Sequence, residues 1–166
     1  MTLLLAAVGA VVTALIELTV APYLRVGAAQ PHPVLVLAVI VTIALGLEAG
    51  LVWAFVGGLA LDVLAQRPLG STAFTLLICV GGASVLARSF ARVRPIVPIG
   101  AVLVLSIGYS MILFFAFGAL GVPLPTADPL QTILPGAAYD AVFGAIVGPL
   151  TVAVHDRRVE QDRVDW

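Results

Sequence analysis

An all-α integral membrane protein, a bundle of about six transmembrane helices, is the fold this sequence predicts. Three observations predict it. Of the 166 residues 61% are hydrophobic and only 10% charged, and the mean hydropathy is +1.17, whereas soluble domains carry about 25% charged residues. The apolar runs are unbroken, not alternating with period two, which favours spanning helices over barrel strands. A bilayer-spanning helix needs about 20 residues, so the chain has room for six spans in a single transmembrane domain, residues 1–166, and little else.

The first span is expected at 2–20, where Ala6, Ala10 and Ala14 form a small-residue stripe and Glu17 lies near the far end. No Lys or Arg precedes this run and no small-x-small site follows it, so an uncleaved span is expected, not a signal peptide. Pro22 ends it, before a loop with Arg25, Gln30, Pro31, His32 and Pro33. Residues 34 to 64 hold only two charges, Glu48 and Asp62. A single helix there would rise about 46 Å, too long for a hydrocarbon core of about 30 Å. Two short spans, 34–46 and 49–65, turning near Gly46–Gly50, are therefore expected; Gly46 and Gly50 also suit a packing motif in one bent helix. Span 4 is expected at 71–87 and span 5 at 96–118. A Pro-rich loop follows, then span 6 at 133–154 and a charged tail at 155–166.

Arginine sets the expected orientation, since the chain has no lysine. Arg88, Arg92, Arg94, Arg157, Arg158 and Arg163 fall on one side under this topology, Arg25 and Arg67 on the other. Both termini are then expected in the cytoplasm.

The chemistry-bearing residues are few. His32 and His155 are expected on opposite sides of the membrane, which argues against a paired-His zinc site, and Cys79 lies alone in an apolar run as a packing residue. No serine has a credible histidine partner, and no nucleotide-binding fingerprint is present, so no enzymatic activity and no cofactor is expected. Three acids remain in or near spans, Glu17, Asp62 and Asp140, all expected in the outer half of the membrane and pointing into the bundle. Intramembrane carboxylates need partners. On one reading they line an outward-opening polar cavity, together with Arg67, for a ligand, lipid headgroup or ion. On the other, Asp62 accepts backbone N–H groups of the 66–70 turn, and Glu17 pairs with Arg25 or Arg67. For Asp140, the Tyr139 hydroxyl, Thr13 and Arg67 are the partners expected by depth. Gly57, Gly58, Gly144 and Gly148 are expected to let helix backbones approach closely.

The stretch from Phe55 to Gly70 carries a resemblance. Phe55, Gly58, Leu59 and Asp62, then Leu69-Gly70 after a short turn, are similar to the signature of the bacterial rod shape-determining MreD family. Pro31-His32-Pro33 before span 2 and Gly148-Pro149-Leu150 at the end of span 6 follow the same order. Where Asp140 stands, that family often carries Asn. The resemblance implies a non-catalytic subunit of the cell-wall elongation machinery in the bacterial cytoplasmic membrane. It implies association with a bitopic MreC-like partner and, through it, with a RodA-type glycosyltransferase, its transpeptidase and MreB filaments; lipid surrounds it, and no nucleic acid partner is implied. It also implies a bundle similar to the S component of energy-coupling-factor vitamin transporters. The alternative function is thus a small-molecule-binding membrane subunit; a small channel or proton-coupled carrier is a third, for which the paired broken spans are lacking.

Overall fold

The computed structural model describes residues 1–25, 29–89, 97–122 and 133–148. Among these, six α-helices make an all-α membrane bundle: α1 Thr2–Val20, α2 Pro33–Leu45, α3 Leu47–Leu64, α4 Ser71–Ser89, α5 Val97–Ala119 and α6 Ile133–Gly148, with one 3₁₀ turn at Ala21–Leu24. The helices covering α1, α3, α4 and α5 are each long and apolar enough to cross a membrane, whereas α2 and α6 are shorter apolar helices. The tail from 155, with Arg157, Arg158, Arg163 and His155, lies outside the described residues, as do Arg92 and Arg94.

At the centre stands α2. Its 13 residues rise about 20 Å, and those from Pro33 to Thr42 are buried except Leu37. It packs against α1, α3, α4 and α5, so it is apolar on every side, as a helix surrounded by other helices must be. The outer helices instead bury one stripe. On α1 that stripe is Ala6, Ala10, Thr13, Ala14 and Glu17, while Leu4, Val8, Val12 and Leu15 point outward. Lipid supplies no hydrophobic drive for helix association, so smooth stripes that permit close backbone contact carry the packing.

The turn between α2 and α3 needs one residue only. Gly46, at φ +99°, closes α2 through its N–H to the Thr42 carbonyl and opens α3. Few residues other than glycine adopt that angle without strain. Gly50 lies inside α3 against Thr42, where a Cβ would collide with the threonine hydroxyl. Gly46 and Gly50 therefore divide two functions between them, one turning the chain and the other seating α3 on α2.

The α3–α4 hairpin is also tight. The Arg67 N–H reaches the Asp62 carbonyl and Gln66 takes φ +53°, a left-handed helix ending. The same device ends α5, with Gly121 at φ +66° and the Val122 N–H on the Phe117 carbonyl. Close approach is real at three of the four glycines singled out for packing. A Cβ on Gly58 would collide with the Ala73 backbone, one on Gly57 would press on Val34, and one on Gly144 would press on Val102 of α5. Gly148 is buried at the end of α6. Cys79 is buried and free.

Candidate functional site

Two helix starts, α2 and α4, face the end of the bundle where α1 and α3 terminate. Each start leaves backbone N–H groups with no partner inside its own helix. In water such groups would be solvated; among packed helices they must find acceptors. The three acids supply those acceptors, and all three are buried, Glu17 at 4% exposure and Asp62 and Asp140 at 0%.

At α4 the acceptor is local. Asp62 takes the Gly70 N–H at 2.8 Å and the Thr72 N–H at 3.0 Å, and the Ser71 hydroxyl lies 3.3 Å away. Gly70, at φ +89°, lets the chain curl back over the carboxylate. One side chain thus closes the α3–α4 hairpin and caps α4, its charge favourable against the helix dipole.

At α2 the acceptors come from afar. Pro33 begins the helix, where a missing N–H costs nothing. The N–H of His32 just before it donates to Asp140 of α6 at 2.7 Å, and the Val34 N–H donates to Glu17 of α1 at 2.8 Å. Asp140 also receives the His32 imidazole Nδ1 at 3.0 Å and the Ser106 hydroxyl of α5. Four elements therefore meet at one helix start: α1, α2, α5 and α6. Trp53 of α3 adds a fifth, its indole N–H donating to the Val34 carbonyl at 3.2 Å.

Burial opposes a positive charge on His32. The hydrogen bond to Asp140 and the negative charges of Asp140 and Glu17 outweigh that effect, and the imidazole titrates above its ordinary value. Its ring stands edge-on to Tyr109 of α5, centroids 5.5 Å apart.

The expected partnerships are thus partly redrawn. Among the described residues the ion pair is His32–Asp140; Glu17 pairs with neither Arg25, which donates to the Gln30 side chain, nor Arg67. Asp140 meets neither the Tyr139 hydroxyl nor Thr13, whose own hydroxyl turns back to the Gly9 carbonyl. The reason is geometric: a carboxylate facing the bundle interior is claimed by the N–H groups of the central helix start, which sequence order places far away. The sequence analysis places His32 only as an unpaired loop histidine between two prolines, and singles out neither Ser106 nor Tyr109 as a site residue. The available signals were the two prolines framing His32 ahead of a wholly apolar run, and Ser106 and Tyr109 at i, i+3 on one helix face.

No family model matches this chain, and no curated protein or solved structure matches it either.

Proposed function

We propose that this chain is a non-catalytic membrane subunit of the bacterial cell-wall elongation complex, holding a bitopic MreC-like partner and, through it, the peptidoglycan synthase. Both termini are cytoplasmic in this proposal. The observation that carries it is the use made of the Phe55–Gly70 stretch. Gly58 sits against the Ala73 backbone, Asp62 clamps the start of α4, and Phe55 and Leu69 stay 51% and 74% exposed. Such a unit is suited to presenting a rigid apolar hairpin to another transmembrane helix, because Asp62 already holds the backbone N–H groups of Gly70 and Thr72 at its turn.

Co-expression with the bitopic partner tests the proposal. A stable hetero-oligomer is expected by blue-native electrophoresis in mild detergent, weakened when Phe55 and Leu69 are both changed to alanine. A chain that stays monomeric beside the partner ends the reading.

A further inference from the structure

Asp140 supplies every side-chain hydrogen bond that α6 makes among the described residues. Its three donors are not alike. The His32 N–H, at 2.7 Å, and the Ser106 hydroxyl hold their protons at any physiological pH. The third, the His32 imidazole at 3.0 Å, is the donor whose charge changes in that range. It also brings the only positive charge in contact with a side chain of 0% exposure.

The imidazole is placed to exchange its proton. Nδ1 is turned to Asp140, the other ring nitrogen has no hydrogen bond among the described residues, and the side chain is 27% exposed. Charged and titratable groups surround it from several elements. Asp140 comes from α6, and Glu17 of α1 accepts from the Val34 N–H two residues along. The Tyr109 ring of α5 meets the imidazole edge-on at 5.5 Å. Arg67, at the α3–α4 turn, acts at longer range and forms no ion pair among the described residues, while Arg25 is engaged by the Gln30 side chain. Two carboxylates therefore converge on the start of α2, and one imidazolium answers them.

A neutral imidazole still donates through Nδ1–H, so deprotonation removes a charge and not a hydrogen bond. A buried carboxylate that loses its counter-charge is costly. The helix that carries it is short and commits one face to the bundle: Leu134, Val142 and Ile146 are exposed, while Ala137, Asp140 and Ala141 are buried. We propose that His32 and Asp140 form a proton-operated latch, in which the imidazolium holds α6 against the start of α2 and loss of its proton lets α6 move away. The two proton-independent donors keep α6 attached, so the latch loosens the helix without releasing it. The latch is independent of the docking role, since it uses neither Phe55 nor Leu69.

Distances between two nitroxide labels on the full chain in detergent test this. Cys79→Ala provides the background, and Val142→Cys on α6 and Phe74→Cys on α4, both exposed positions, carry the labels. A single distance is expected at pH 5.5. A second, longer one should grow in as pH rises past 6.5, the ordinary value for His32, and should be present at pH 8.5. His32→Gln keeps both proton-independent ties to Asp140 and should give one distribution at every pH. Ser106→Ala removes an uncharged tie, so it should loosen α6 at every pH and retain the response, as a merely structural support would not. A distance distribution that does not change with pH, or a change that survives His32→Gln, would overturn the proposal.

Discussion

The starts of α2 and α4 solve one problem in two ways. At α4 a single carboxylate eight to ten residues upstream receives both backbone N–H groups, on Gly70 and Thr72. At α2 the equivalent pair, on His32 and Val34, is divided between Asp140, 108 residues away, and Glu17, 17 residues away. The first arrangement forms with its hairpin and needs nothing else. The second exists only once α1, α5 and α6 have closed around α2, so it doubles as a lock on the whole bundle. A local cap stabilises a turn; a distributed cap makes the central helix depend on its neighbours.

The largest difference should appear when each acid is removed. Asp140→Leu leaves the His32 N–H, its imidazole and the Ser106 hydroxyl without an acceptor, and should cost about 3–5 kcal/mol. Asp62→Leu, at a site whose turn residues are half-buried, should cost about 2–3 kcal/mol. Hydrogen exchange separates them. Asp62→Leu should raise exchange at Gly70–Thr72 and spare α2, whereas Asp140→Leu should raise it at His32–Val34 and along α6. Identical exchange patterns would mean that the two caps are not independent. Asp140→Asn keeps an acceptor and should be mild.

Double substitutions sharpen the contrast at smaller energies. Glu17→Gln and Asp140→Asn act on one helix start and should deviate from additivity by about 1 kcal/mol. Asp62→Asn shares no partner with either and should combine additively within about 0.5 kcal/mol. Reversible unfolding in mixed micelles provides the measurement.

The distributed cap also contains the group that titrates. Because His32 binds its proton more tightly when folded, its contribution is fully present below the unfolded value of about 6.5 and fades as pH rises through the higher folded value. Thermal midpoints between pH 5.5 and 8.5 should therefore fall with rising pH. The fall should be smaller in His32→Gln. No such component is expected from the local cap, where no histidine takes part.

The smallest expected effect lies next to the local cap. Gln66 holds φ +53° at the end of α3, an angle that costs a side-chain-bearing residue more than it costs glycine. Gln66→Gly should stabilise the hairpin by about 0.5–1 kcal/mol, offset in part by the freer unfolded chain. A fall in thermal midpoint would show that the Gln66 side chain has a role of its own.

Composition and unbroken apolar runs were enough to predict an all-α membrane bundle, because a bilayer leaves the backbone of a spanning segment almost no alternative. The sequence also exposed the division near Gly46, since 31 apolar residues with only two charges exceed a bilayer thickness. The Asp62 cap was readable as one of two roles, because donor and acceptor lie within one hairpin and the turn residues between them are visible. Which helix is central was not readable: every run is apolar, and burial by protein or by lipid leaves the same composition. The partners of Glu17 and Asp140 were hidden for a related reason. A carboxylate's sequence neighbours show that it needs donors, but only the packing of α1, α5 and α6 around α2 decides that the donors are His32, Ser106 and Val34.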